Sequence, residues 1–387
     1  MTQHHSSSLA ESVDATTLGG LDGLRALAVS LVVFSHYGPS LVPGAYGVVL
    51  FFVLSGFLIT RLLLREQRLS GGISLKRFYA RRSLRIFPAF YVYWFGVVGL
   101  LLVTGRAVPW DHAWSAFAYL SNYYNALHGD PNTGFSHTWS LAAEEQFYLL
   151  WPLGLIFLTR ARRNVLGILS AVIVGIWLMR FMMVYVFQLP QSYLYASFET
   201  RADALLLGCA LAIAVARPEI ANRLQRFVGH WSAGWLALAS TIGIASLAAA
   251  IGTTAFRDTI VWLVLPLVLG VLLLHVVATP TSALSRVLDL GPVRYVGRIS
   301  YGMYLYQQIL SSPVHHLTEG LPYVVQLSFM YALTVLFATL SFFVVERPFL
   351  RWKERFSVPK ARSVEREGDP EGEDRSFDDG RLASLPV

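Results

Sequence analysis

The sequence is short of charge, of lysine and of cysteine, and each shortage excludes something. Only 14% of its 387 residues are Asp, Glu, Lys or Arg. Soluble proteins of this size carry about a quarter, so a soluble globular domain is excluded. The one cysteine, Cys209, lies inside an apolar run, which leaves no disulfide within the chain and no cysteine-based metal site. Of 31 basic residues, only Lys76, Lys353 and Lys360 are lysine. That bias is compatible with a high-GC bacterial gene. The net charge of +7 is scattered between apolar runs and forms no patch, so it points to orientation in a membrane and away from nucleic acid.

What is present is apolar surface. Hydrophobic residues make up 55% of the chain and the mean hydropathy is +0.51, as in a polytopic membrane protein. Apolar runs fall at about 21–38, 45–64, 86–103, 142–159, 165–188, 203–216, 233–252, 259–278, 299–314 and 323–345. Most approach the roughly 20 residues that a helix needs to cross a bilayer, and the expected fold is an all-α bundle of about ten transmembrane helices. Taking the N-terminus as inside, the inner segments 61–85, 160–163, 217–226 and 286–298 hold 17 basic residues, whereas the outer ones hold only Arg106, Arg201 and Arg257. This alternation predicts ten spans with both termini in the cytoplasm. Residues 1–18 are polar, without a basic stretch ahead of an apolar core, and are expected to be a disordered cytoplasmic leader. Residues 357–387 are charged and are expected to be a disordered cytoplasmic tail.

Within the first run, Arg25 and His36 are eleven residues apart, which on a helix brings them within about 20° of one face and roughly 16 Å apart. The histidine reads either as a packed helix residue or as a titratable base, since ionisable groups inside membranes tend to be functional. Between the second and third runs lies L-K-R-F-Y-A-R-R-S-L-R-I-F-P, where Arg82 and Arg85 share a helix face. They read as topogenic charge or as a phosphate-binding fork. Arg61, Arg65 and Arg68 are explained by orientation and contact with anionic membrane lipid. The long outer segment 104–141 ends in S-H-T-W-S-L-A-A-E-E-Q-F-Y, which carries His137, Trp139 and Gln146 to the depth of His36. Of its two carboxylates, Glu144 shares a face with Tyr148 and is the one expected to look into the bundle. Arg180, Arg201 and Asp203 are further membrane charges, the last two expected to pair with each other.

Taken together, G-L-D-G-L-R-A-L-A-V with His36, F-F-V-L-S-G-F-L-I-T, R-R-S-L-R-I-F-P, W-S-L-A-A-E-E-Q-F-Y-L-L-W-P, R-A-D-A-L-L-L-G, I-S-Y-G-M-Y-L-Y and V-E-R-P resemble acyltransferase family 3, in that order, from Leu18 to Trp352. The resemblance implies a membrane acyltransferase domain over residues 19–356. It also implies cytoplasmic acyl-CoA, acetyl-CoA above all, as donor and O-acylation of a sugar hydroxyl. The family's first-helix pair falls on Arg25 and His36, its paired arginines on Arg82 and Arg85, and its carboxylate on Glu144. Asp22, Arg201, Asp203, Ser300, Tyr301 and Glu346 are expected to form a supporting polar network. Where many relatives continue with a histidine after I-S-Y-G-M-Y-L-Y, this chain has Gln307. It carries no hydrolase-like domain of the kind some members append, so the membrane unit is expected to complete the reaction itself.

The chemistry agrees with the residues. A sugar hydroxyl is a weak nucleophile near neutral pH, and attack on a thioester calls for a base such as His36. Glu144 is expected to orient that imidazole, and Arg25, Arg82 and Arg85 to hold the donor's phosphates, with no metal. The expected acceptor is a cell-surface polysaccharide or glycoconjugate, or else a macrolide-type natural product. Trp110, Trp114, Tyr119, Tyr123, Tyr124 and Trp139 offer rings on which sugars stack. The location that follows is the inner membrane of a bacterium. A proton-coupled transporter is the rival class, but no internal repeat of the kind common in transporters is present.

Overall fold

The computed structural model describes Leu9 and residues 18–37, 43–129, 131 and 133–356. The expected leader lies almost wholly, and the tail wholly, outside the described residues. Among the described residues the chain is helical and has no strand. Each of the ten apolar runs becomes one helix: α1 Leu21–Tyr37, α2 Gly44–Ser70, α3 Leu75–Val103, α4 Trp139–Arg160, α5 Val165–Tyr185, α6 Phe198–Val215, α7 Trp231–Ile251, α8 Trp262–Ala278, α9 Ser300–Thr318 and α10 Tyr323–Ser341.

Seven of these, α2 to α5, α7, α8 and α10, are long and apolar enough to cross a membrane. The bent pair Gln191–Val215, which contains α6, and Pro218–Val228, at 110° to each other, makes an eighth if it is counted as one span. The remaining two are α1, with 17 residues, and α9, which carries Gln307, Gln308, His315 and His316. Both are central: α1 packs against α2, α8, α9, α10 and Gly291–Arg298, and α9 against α1, α3 and α10. Polar residues on such helices are tolerated where they face the bundle interior. The outward faces carry exposed apolar residues such as Phe95, Phe157, Leu178, Ile242 and Val344, the belt a multi-pass membrane protein turns to lipid.

Close helix crossings are made by glycine. A Cβ on Gly56 of α2 would run into the Leu205 carbonyl of α6, and one on Gly208 into the Val53 carbonyl. Small residues at such a crossing let two backbones approach, the contact that holds helices together where lipid supplies no hydrophobic drive. Likewise Gly297 abuts the backbone of Asp22, fixing the start of α1 beside the start of α9. One grouping made from sequence is corrected here. Arg61 does not face lipid with Arg65 and Arg68 but is buried in α2.

Candidate active site

The third helix starts eleven residues ahead of its apolar run, so the basic segment and the apolar segment form one rod. Gly71 ends α2 in the left-handed region at φ 72°, which glycine adopts without strain. Ser74 then caps α3 by accepting from the Arg77 N–H. Glu66 ties the two helices together, accepting from the Ser74 N–H at 3.2 Å and pairing with Arg81 at 2.7 Å.

This anchoring points Arg82 and Arg85 into a cavity of about 270 Å³ enclosed by α1, α2, α3, α4 and α9. Arg25 lines it from α1. The Arg82 guanidinium lies 4.3 Å above the Tyr148 ring, a cation–π contact. Further from the basic end the wall is apolar, formed by Phe51, Phe52, Leu54, Leu58, Ile86 and Leu141. Polar groups interrupt it at two levels. Ser55 donates to Glu144 at 2.8 Å, and beyond it the hydroxyls of Ser140 and Tyr304 bond each other. Ser140, Glu144 and Tyr148 follow at four-residue steps on α4, so one helix face supplies all three. Glu145 also reaches the cavity, with one carboxylate oxygen buried and unpartnered among the described residues.

A second cavity of about 300 Å³ lies at the basic end, lined by Asp22, Arg298, Phe342, Glu346 and Leu350. It shares Arg25, Arg85, Tyr301 and Lys353 with the first. The two therefore meet at a waist of half-buried arginines. Glu346 faces Arg85 and Arg25 across it, Asp22 stands 3.7 Å from Arg298, and the Tyr301 hydroxyl donates to the Ile86 carbonyl at 2.9 Å. Ser300 lines the first cavity from α9. Four members of the expected network, Asp22, Ser300, Tyr301 and Glu346, thus gather around the arginines.

Arg201 and Asp203 do not, and they do not pair with each other. Residues two apart on a helix point in nearly opposite directions. Asp203 instead forms a buried ion pair with Arg180 at 2.7 Å and accepts from the Trp177 indole at 3.0 Å. Arg201 turns the other way into an aromatic cage, 4.2 Å from the Trp262 ring and 4.8 Å from Tyr195. Both residues line neither cavity.

His36 ends α1 on the opposite side of the bundle, exposed and outside both cavities. Its Nδ1 is 2.8 Å from the Val32 carbonyl. A carbonyl only accepts, so in the neutral ring Nδ1 carries the hydrogen and Nε2 keeps a lone pair. Glu144 is not the group that orients it. The bond to Ser55 and the neighbouring Arg25 and Arg82 hold that carboxylate on the cavity side. Of the aromatics in segment 104–141, Trp110 and Trp114 stack at 6.1 Å and are exposed. Trp139 is buried, and Tyr119 stacks on Phe90 at 4.5 Å. The Tyr123 phenol, pushed up to about 12 by burial and by Glu199, is a neutral donor to that carboxylate at 3.0 Å.

Three cavity hydroxyls went unread in the sequence: Ser55, Ser140 and Tyr304. Their signal was a polar residue within an apolar context, as in F-F-V-L-S-G, and the i, i+4 step from Ser140 to Glu144.

The family model described as an acyltransferase domain matches residues 18–345. Peptidoglycan O-acetyltransferase OatA of Listeria monocytogenes is 33% identical over 349 residues, covering 85% of this chain and 55% of its own length. Putative peptidoglycan O-acetyltransferase YrhL of Bacillus subtilis is 30% identical over 372 residues, covering 90% and 55%. Putative O-acetyltransferase SAR0937 of Staphylococcus aureus is 30% identical over 373 residues, covering 89% and 60%. The chain therefore spans little more than half the length of these relatives. No solved structure matches it. With the matched region taking in all ten helices, the arginine waist and His36, this chain belongs to acyltransferase family 3.

Proposed function

We propose that the chain is a membrane O-acyltransferase that moves an acyl group, acetyl in the first instance, from cytosolic acyl-CoA to a hydroxyl of a cell-surface glycan. The observation that carries this reading is the meeting of two cavities at Arg25 and Arg85, where half-buried cations open onto an apolar arm studded with hydroxyls and the carboxylates of Glu144 and Glu145. A phosphorylated donor with a long thioester arm fits that sequence of environments. The relatives' names, O-acetyltransferases of peptidoglycan, support acetyl and a glycan. The exposed Trp110 and Trp114 support it as well, because they offer ring faces to a sugar. The basic end is assigned to the cytoplasm, with both termini there, in the inner membrane of a bacterium.

Arg25, Arg82 and Arg85 hold the donor's phosphates, the last two as a fork of planar guanidinium groups. Phe51, Phe52 and Leu54 exclude water from the arm. Glu144 and Ser55 face the arm from the side and fix its polar amides. His36 Nε2 takes the proton of the acceptor hydroxyl, whose oxygen attacks the acyl carbon. The carbon–sulfur bond breaks, and the proton passes to the sulfur.

Purified protein in lipid nanodiscs, given acyl-CoA labelled in the acyl group and a glycan with free hydroxyls, tests the reading. Label on the glycan is the expected result. A protein that binds both and transfers nothing overturns it.

A further inference from the structure

Between the donor cavity and His36 lies a layer that neither cavity reaches. The cavity ends at Ser140 and Tyr304, and the Tyr304 hydroxyl donates to the backbone carbonyl of His137 at 2.8 Å. His137 sits in the turn Ser136–Thr138 that leads into α4, held between the rings of Tyr93 and Tyr304, each centred 5.5 Å away. It is 6% exposed. Among the described residues neither of its ring nitrogens has a hydrogen-bond partner of ordinary geometry, although the Leu305 backbone lies close enough to act on the ring. His36 lies within its electrostatic reach.

One turn beyond Tyr304, on the face of α9 that carries Ser300 and Tyr304 into the cavity, stands Gln307. It is fully buried, and both atoms of its amide are likewise unpartnered among the described residues. Nine in ten or more buried polar groups in folded proteins are paired, and leaving one unpaired is costly. Packing alone does not account for two such side chains in one layer, because Phe and Met would fill the same spaces without that cost. Both can present a neutral N–H. They stand beyond Tyr304, at the end of the cavity away from the arginines.

We propose that His137 and Gln307 form the carbonyl-binding pocket of the transfer reaction, donating N–H hydrogen bonds to the acyl oxygen. The inference rests on the acyl-CoA reading above. As the acceptor oxygen bonds to the acyl carbon, the carbonyl electron pair moves onto the oxygen that these two donors hold. It returns as the carbon–sulfur bond breaks, while the hydroxyl proton goes to His36 Nε2 and then to the sulfur. Donors placed where negative charge develops, in a site closed to water, are among the largest contributors to such catalysis.

The test uses the full chain in nanodiscs and reads stability and kinetics side by side. His137→Phe and Gln307→Met are expected to hold or raise the thermal midpoint, since each removes unpaired buried polar atoms. They are also expected to lower kcat about 10²–10³-fold, the usual effect of removing one oxyanion donor, with the donor KM within threefold of wild type. His137→Gln restores an N–H and should recover at least tenfold of the His137→Phe loss. Packing alone predicts no such rescue. Should His137→Phe fail to insert, Gln307→Met carries the same two readouts. A wild-type protein inactive with acyl-CoA would bring down the donor reading. Wild-type activity matched within threefold by both apolar variants, or a drop in stability in both, would overturn the carbonyl pocket alone.

Discussion

Arginine at the waist is a chemical choice as much as an electrostatic one. Arg85 lies between Arg25 and Glu346 at the junction of the two cavities, where a planar fork can grip a phosphate with two hydrogen bonds and an ammonium cannot. Arg85→Lys keeps the charge and should nevertheless raise the donor KM about tenfold or more, with the protein inserted normally. An unaltered donor KM in both Arg85→Lys and Arg82→Lys would return this segment to a purely topogenic role. The Arg180–Asp203 pair makes the opposite case. Asp203→Asn leaves a buried guanidinium uncompensated, a change that typically costs about 3–5 kcal/mol. It should lower the thermal midpoint without changing the donor KM, because neither residue lines a cavity. A specific loss of donor affinity in that variant would contradict the structural assignment.

At the level of helices, the site depends on how closely backbones approach. Gly56 and Gly208 let α2 and α6 cross in backbone contact, which holds α2 in place and with it Ser55 against Glu144. Gly208→Val overpacks this crossing. Overpacking costs roughly 1–3 kcal/mol, so a lower thermal midpoint and a weaker transfer rate should appear together, while Gly154→Ala, which meets open space, should be near neutral. Equal midpoints for the two variants would remove the crossing from the account. The sequence disclosed some of these relations through periodicity. Arg25 and His36 belong to one helix, and Arg82 with Arg85, or Glu144 with Tyr148, share a face at three or four residues' spacing. It did not disclose partners chosen across helices. Glu144 was free to meet His36 until the fold of α2 brought Ser55 to it. Arg201 and Asp203 looked like partners only because they are neighbours in sequence. In a helix that spacing turns them apart.

Across the molecule, the ten apolar runs were legible as ten helices because each had to satisfy its own backbone in lipid. Helices α1 and α9 were the least obvious by composition, and both pack against several of the others. The distribution of Arg and Lys makes an orientation prediction. Reporters fused after Val387 and within 71–74 should register the cytoplasm, and one inserted at Gly129 the outside. A cytoplasmic signal at Gly129 would invert the bundle and put the arginine waist on the wrong side for a cytosolic donor.

The central claim is that acyl transfer between a donor held at the arginine waist and an acceptor at the opposite end runs through His36. Its most direct test is the rate of label transfer from acyl-CoA to glycan by His36→Gln, normalised to inserted protein and compared with wild type. The substitution keeps size and hydrogen bonding but removes the titratable nitrogen. General-base catalysis contributes about 10²–10⁴-fold, so a rate reduced at least 10²-fold with an unchanged donor KM is the predicted result. A His36→Gln protein that transfers label at the wild-type rate would contradict the account.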